Sequence, residues 1–292
     1  MKINKKIAIT GSSGFIGSAL VKRLLNNNFD VIKIDLEKNL DITNINDLSN
    51  IPKFDILIHL AAKIYVPLSF KNPRDFYHTN IIGTLNALEL CKKYNAKMIL
   101  ASSYIYGYPK YLPIDENHAI EAVNPYSQSK IMCEQLCEGY NRDFGVPILI
   151  LRPFNIYGIH QSKDFLIPSI IHQIKKRKVV INNLRPKRDF IYLDDMVDAY
   201  ISAISYDNNN FDVFNICDGR SFSVQEIIDI IRKFSPNSFE VVDIGESRKN
   251  EIWDLYGDNS KAKKLLNWAP KMDLTDGLKI IMAQEFNFKN KL

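Results

Sequence analysis

Between an apolar stretch at residues 6–10 and a helical pattern at 15–25 stands the run Thr10-Gly11-Ser12-Ser13-Gly14-Phe15-Ile16-Gly17. Three glycines at that spacing narrow what the chain can do there. Glycine allows a tight turn and close approach to another backbone or an anion. A helix that opens at such a loop points free N–H groups at whatever charge the loop holds. The spacing is GxxGxxG rather than the commoner GxGxxG, and by itself it also suits a purely structural turn. The strand–loop–helix setting favours a dinucleotide whose pyrophosphate sits at the helix N-terminus, against Gly11, Gly14 and Gly17.

The rest of the first half repeats this unit. Residues 30–35, 54–59, 96–102 and 147–152 read as apolar strands, and 73–93 and 125–144 as helices. Continuous apolar strands alternating with helices predict a parallel sheet covered on both faces, an α/β fold. After residue 152 the alternation loosens. A helix at 194–205 and a strand at 212–217 return the chain to the sheet, and 224–234, 260–266 and 274–286 read as helices. The expected division is a dinucleotide domain from 1–157 plus about 189–218, and a smaller lobe from about 158–188 plus 219–292. Residues 207–210 read as a polar loop rather than a linker.

Composition removes several function classes. The 292 residues are 46% hydrophobic and 24% charged, ordinary for a globular protein with a large core. A net charge of +5 is too diffuse for a nucleic-acid reader. Its only basic run, Lys175-Lys176-Arg177-Lys178, reads as a solvated helix end. No apolar stretch reaches the roughly 18 residues of a membrane span, so no membrane partner is expected. The basic start followed by an apolar run faintly mimics a signal peptide, but Gly11, Ser12 and Ser13 interrupt it. Cys133 and Cys137 are one helical turn apart, yet no histidine or further cysteine lies near in sequence. Cys91, Cys133, Cys137 and Cys217 are therefore expected as free thiols in a reducing cytoplasm, with no metal site.

Polar residues at strand ends supply the candidate chemistry. Asp35 ends the second strand, where a carboxylate accepts from ribose hydroxyls and repels a 2′-phosphate. This favours NAD over NADP, although Lys38 is near. Asp41 and Ile42 suit the adenine edge or an ordinary turn. Tyr126 and Lys130 share one face of the helix at 125–144. A cation beside a phenol favours the phenolate, and a base at neutral pH needs the tyrosine pKa lowered by roughly 3 units. Ser102 and Ser103 both stand where the strand at 96–102 ends, beyond which ligands bind in a parallel sheet.

Eight runs in order carry a resemblance: TGSSGFIG (10–17), HLAA (59–62), NIIGT (80–84), SSYIYG (102–107), PYSQSK (125–130), LRPFNIYG (151–158), RDFIYLDD (188–195) and SKAKKLLNWAP (260–270). From Lys6 to about Pro270 the chain resembles the extended short-chain dehydrogenases/reductases, in the nucleotide-sugar epimerase/dehydratase branch. That resemblance implies a Rossmann-type doubly wound parallel sheet with a smaller mixed C-terminal substrate lobe. It implies Tyr126 as the base, Lys130 as its partner on the ribose, and Ser102, four residues before Tyr106, as the catalytic serine. Phe15 and Ile16 resemble residues whose backbone meets the pyrophosphate. Leu60, Ala61, Ala62 and Lys63 resemble the stretch lining the cofactor, with Thr79 and Asn80 before the helix. Phe154 and Asn155 resemble positions where the nicotinamide site passes into the sugar-nucleotide site. Ser103, Leu166, Arg188 and Arg248 resemble substrate contacts.

One departure bears on the reaction. Dehydratases of this kind carry Asp-Glu after the catalytic Thr, and here Ser103 and Tyr104 follow Ser102. The resemblance therefore implies an NAD-dependent epimerase of nucleotide-diphosphate sugars, with a one-way 4-ketoreductase or dehydrogenase as the close rival. Dehydration and a non-catalytic nucleotide-binding role stand further off. It also implies a homodimer built by a bundle of the helices at 73–93 and 125–144, with Leu85, Leu88, Cys133 and Leu136 as apolar contacts or as intrachain core.

Overall fold

The computed structural model describes residues 5–207, 210–247 and 251–286. Six parallel strands form the central sheet: β1 (Lys6–Thr10), β2 (Asp30–Ile34), β3 (Ile56–His59), β4 (Lys97–Ala101), β5 (Ile148–Pro153) and, late in the chain, β9 (Phe211–Ile216). Their order is β2-β1-β3-β4-β5-β9. The chain winds outward from β1 to β2, then starts again on the other side at β3. Between the carboxyl ends of β1 and β3 lies the crevice where a doubly wound sheet takes its ligand.

Helices cover both faces, as continuous apolar strands require. On one side α1 (Phe15–Asn26) and α7 (Leu193–Ser205) bury Leu20, Leu24, Met196 and Tyr200 against Ile7, Ile9 and Leu149. On the other, α4 (Gly83–Tyr94) and α5 (Pro125–Phe144) bury Leu88, Cys91, Cys133 and Cys137 against Ala8, Leu57 and Met98. Leu88 and Cys133 are therefore intrachain core and give no surface to a partner. Leu85 and Leu136 keep partial exposure, and Met132 beside them is 37% exposed.

The segment expected as one helix at 73–93 is broken. A short α3 (Pro73–Tyr77) runs into a π-helical turn, His78–Ile82, before α4 begins. Such a turn adds a residue to the helix and rotates the turns beyond it, and it is often found at functional sites. A further short helix, α2 (Val66–Lys71), precedes it where no helix was expected.

The central sheet ends at Pro153. Strand β6 (Asn155–Tyr157) pairs instead with β8 (Lys187–Tyr192), which also pairs with β10 (Ser221–Ser223). Strands β7 (Lys178–Ile181) and β11 (Glu240–Asp243) form a two-stranded sheet. Around these pack α6 (Leu166–Ile174), α8 (Val224–Phe234) and α10 (Leu274–Glu285), burying Ile170, Ile174, Ile227, Ile231, Leu278 and Met282 in a separate core. The basic run at 175–178 follows the end of α6 and leads into β7. Among the described residues no helix is long and apolar enough to cross a membrane.

Candidate active site

The glycine loop joins β1 to α1 with no room for side chains. A Cβ at Gly17 would lie 2.1 Å from the Gly11 carbonyl oxygen, and one at Gly11 would lie 2.8 Å from the Ala61 nitrogen. Gly11 also has φ +67°, a left-handed conformation. Gly14 precedes α1 as its N-cap, and no side chain caps the helix or places acid in its first turn. The N–H groups of Phe15, Ile16 and Gly17 therefore head an uncapped helix, the arrangement that receives a pyrophosphate. Asp35, just beyond β2, accepts from the Ser13 N–H at 2.9 Å and from the Glu37 N–H at 3.2 Å. It is thus held over the loop, where a ribose diol would meet it. These features fit a dinucleotide.

The β1 and β3 ends are tied together by Thr10. Its Oγ1 accepts from the N–H groups of Leu60 and Ala61, at 3.1 and 3.2 Å, and lies 2.7 Å from His59 Nδ1. With the hydroxyl proton directed at Nδ1, the imidazole carries its own proton on Nε2, 3.2 Å from Thr84 Oγ1. Burial, with the Lys130 charge second, depresses His59 to about 3, so the ring stays neutral. Asn80, in the π-helical turn, accepts from the Lys63 N–H at 2.8 Å and donates to the Lys63 carbonyl and to Ser129 Oγ. It is a buried clamp between the 60–63 loop and α5. Its neighbour Thr79 keeps partial exposure, and the Lys63 ammonium reaches out to Asp75 at 3.3 Å.

Local sequence explains where α5 begins. Asn124 accepts from the Ser127 N–H at 2.8 Å while Ser127 Oγ accepts from the Asn124 N–H, a reciprocal cap, and Pro125 occupies the first turn. The helix stops at Gly145, φ +67°. Tyr126, Lys130 and Glu134 follow at four-residue intervals, so they face the sheet together. Lys130 is buried and donates to the Ala101 carbonyl at 2.7 Å. Burial lowers its pKa.

Two expectations about this helix are corrected. Lys130 was expected to pull the Tyr126 phenol down. Instead burial pushes that phenol up to about 12, with the nearby Ser103 hydroxyl opposing the rise. Ser102 was expected as the catalytic serine. It is buried, and its Oγ donates to Glu134 Oε1 at 2.5 Å. Its N–H continues the strand ladder to the Leu151 carbonyl. Counting back from Tyr106 selects the buried residue directly after β4, whereas Ser103, one residue further on, is the serine near Tyr126.

Behind the site lies a polar network that sequence reading missed. Arg152 donates to both oxygens of Glu134, at 3.0 and 2.5 Å, and to the Tyr106 hydroxyl at 3.0 Å. Tyr106 donates to Asn215 in β9, and Asn215 donates to the Ile114 carbonyl. The side chains of Arg152 and Glu134 are only 4% and 8% exposed. The network pins α5 to β4, β5 and β9. A lone arginine in an apolar strand was its signal, since a buried charge demands a partner.

Several expected ligand contacts have other partners. Asp41 Oδ1 accepts from both the N–H and the hydroxyl of Thr43, at 2.8 Å each, and the Ile42 side chain is buried under Gly83. Both shape the loop. The Phe154 ring is buried, stacked on Tyr104 and pressed against Gly257, so it packs the wall of the site rather than lining the nicotinamide. Asn155 Nδ2 donates to the Asp189 carbonyl at 2.9 Å, and Asn155 Oδ1 accepts from the Tyr104 hydroxyl at 3.1 Å. Arg188 donates to Glu251 at 2.8 Å and to the carbonyls of Lys187 and Ile252. It is thus engaged within the lobe rather than free for a diphosphate. Leu166 opens α6, whose first turn has neither a side-chain cap nor an acidic residue. Arg248 lies outside the described residues.

A glycine cradle on an uncapped helix, with Asp35 over the loop and Tyr126 and Lys130 on one face of α5, fits a dinucleotide-dependent enzyme. A model of the NAD dependent epimerase/dehydratase family matches residues 7–217, and the chain belongs to that family. A relative from Methanocaldococcus jannaschii, named provisionally as a UDP-glucose 4-epimerase, is 35% identical over 94% of this chain and 97% of its own. The GDP-6-deoxy-D-talose 4-dehydrogenase of Aggregatibacter actinomycetemcomitans is 33% identical over 89% of this chain and 91% of its own. Among solved structures, the UDP-glucose 4-epimerase of Thermotoga maritima with UDP-glucose superposes with a TM-score of 0.90 at 29% identity, covering 98% of this chain and 100% of that one. The protein is an NAD-dependent enzyme of the extended short-chain dehydrogenase/reductase, nucleotide-sugar type.

Proposed function

We propose that the protein is a nucleotide-sugar 4-epimerase that works through a transient 4-keto sugar. The observation that carries this reading is the α5 face on which Tyr126 and Lys130 lie one turn apart, with Lys130 donating to the Ala101 carbonyl at the end of β4 at 2.7 Å. Burial holds the Tyr126 phenol protonated at neutral pH. Its work as the base that takes the proton of the sugar hydroxyl, with Ser103 beside it, therefore requires the positive charges of Lys130 and of a bound oxidised nicotinamide to favour the phenolate. NAD held at the first turn of α1 and by Asp35 would supply the hydride acceptor and donor that the two half-reactions need. Lys130 directs its charge toward the ribose side of the site, and Asp35 and the first turn of α1 hold the dinucleotide through both half-reactions. With Ser103 as the catalytic serine, the two residues after it are Tyr104 and the buried Ile105. Neither is a carboxylate, so acid–base elimination of water has no groups there.

Support for the 4-position and for epimerisation comes from the relatives named for 4-epimerase activity. The dehydrogenase relative favours a second reading, one-way oxidation or reduction at the same carbon. Once a substrate is found, incubation without added dinucleotide separates the two. Repeated turnover to the stereoisomer with no net change in NADH absorbance supports the epimerase. Strict dependence on added NAD(P)H or on an external oxidant overturns it in favour of the rival. In either case Tyr126→Phe removes turnover while leaving NAD bound. Four buried free thiols fit a reducing compartment, the cytoplasm.

A further inference from the structure

Within the loop after β4, Ser103 and Tyr104 keep partial exposure while Ser102 and Ile105 on either side are buried. Ser103 and Tyr104 both lie near enough to the Tyr126 phenol to influence its titration. The Tyr104 ring is stacked on Phe154, with centroids 5.2 Å apart and planes at 24°. Phe154 is itself wedged against Gly257, so the Tyr104 ring has a fixed backing. The direction of the bond between Tyr104 and Asn155 is decided one step further on. Asn155 Nδ2 donates to the Asp189 carbonyl at 2.9 Å, which leaves the amide oxygen facing Tyr104 at 3.1 Å. An amide oxygen only accepts, so Tyr104 must donate its single proton to it. What the phenol oxygen offers the cleft is a lone pair and no proton.

We propose that Tyr104 is a specificity-determining residue of the sugar pocket, an acceptor-only phenol that takes a hydrogen bond from a hexose hydroxyl and disfavours a carboxylate at the same place. The assignment deepens the nucleotide-sugar reading and rests on it. A hydroxyl brings the proton that Tyr104 lacks. A uronate brings only lone pairs and negative charge, and the Tyr104 oxygen cannot turn a proton toward it without abandoning Asn155. A site built to pair with a hydroxyl discriminates because the group that cannot pair leaves a desolvated partner unsatisfied.

Calorimetric titration of the NAD-loaded protein tests the assignment. The ligands are UDP, UDP-glucose and UDP-glucuronate, with GDP, GDP-mannose and GDP-mannuronate as the parallel set, against wild type and Tyr104→Phe. The phenylalanine keeps the ring stack and removes only the oxygen, and a melting curve for each protein reports whether the fold is intact. For the nucleotide series that binds, the free diphosphate should bind both proteins equally. The neutral hexose conjugate should bind the variant between about threefold and tenfold more weakly. The preference of wild type for the neutral sugar over the uronate should shrink. Equal weakening of diphosphate and sugar conjugate would reduce Tyr104 to packing and overturn the assignment, as would an unchanged affinity for the neutral hexose. Failure of both diphosphate series to bind wild type would bring down the nucleotide-sugar reading itself, and this assignment with it.

Discussion

The two serines after β4 differ by one position and by everything that matters to the chemistry. In the proposed mechanism Ser103 favours the Tyr126 phenolate, whereas Ser102 donates to the buried Glu134. A base must be deprotonated to act, so with Tyr126 as the proposed base the rate of the NAD-loaded enzyme should rise with pH through the pKa of that phenol. Removing a hydrogen bond that favours the phenolate raises that pKa. Ser103→Ala should therefore move the rising limb of the kcat/KM profile to higher pH, by up to about one unit, in addition to lowering the rate. Ser102→Ala should leave the limb in place and lower the melting temperature instead. His59 gives a prediction of the opposite kind, about stability. Its folded pKa is depressed to about 3, below the unfolded value of 6.5, so the unfolded chain binds the proton first as pH falls. Its contribution is fully present above pH 6.5 and is lost progressively on the way down to pH 3. At pH 5 the loss is about 2 kcal/mol. Asp189, raised to about 7 by burial and opposed by three backbone N–H donors, contributes a slope of the other sign. The difference between wild type and His59→Asn cancels it. Denaturant unfolding at pH 7 and pH 5 should show wild type losing about 2 kcal/mol relative to His59→Asn between those two values.

At the scale of elements, the glycine loop and α5 carry the function. Gly17 sits where a methyl group would collide with the Gly11 carbonyl, so Gly17→Ala must displace the loop from the head of α1. NAD affinity should fall by more than about tenfold, since the first-turn N–H groups would no longer converge. Fluorescence titration with NADH measures this directly, and near-normal affinity would show that the loop does not hold the pyrophosphate. The position of α5 depends on the Glu134–Arg152 pair. Breaking a buried ion pair on one side strands the other charge, at a cost of roughly 3–5 kcal/mol. This explains why so polar a pair persists in the middle of an apolar layer. It fixes the helix that carries Tyr126 against β5.

For the molecule as a whole, separate apolar clusters fill the two faces of the six-stranded sheet, and another lies beneath α6, α8 and α10. The exposed flanks of α4 and α5 carry Leu85, Met132 and Leu136, a modest apolar strip on adjacent helices. We expect a two-fold dimer through that strip, the commonest symmetric assembly. Light scattering at micromolar concentration should give about twice the 33.6 kDa chain mass. Met132→Glu should shift it toward the monomer, and a wild-type monomer at that concentration would refute the expectation.

The order of strands and helices in the first half was legible in the sequence because local pattern decides it. Apolar runs, glycine at 11, 14 and 17, and the Asn124-Pro125 start of α5 each act over a few residues. Tyr126 and Lys130 were legible for the same reason, being one helical turn apart. What local pattern could not decide was where each polar group finds its partner. Ser102 and Ser103 look alike in sequence. They separate only when β4 ends and α5 crosses it, because the strand turns one side chain toward Glu134 and the loop turns the other toward Tyr126. The break in the helix before α4, the pairing of Arg188 with Glu251 and the packing of Phe154 under Gly257 are likewise long-range contacts. So is the burial that raises the Tyr126 phenol. Desolvation depends on everything packed around a group, and no window of neighbouring residues contains that information.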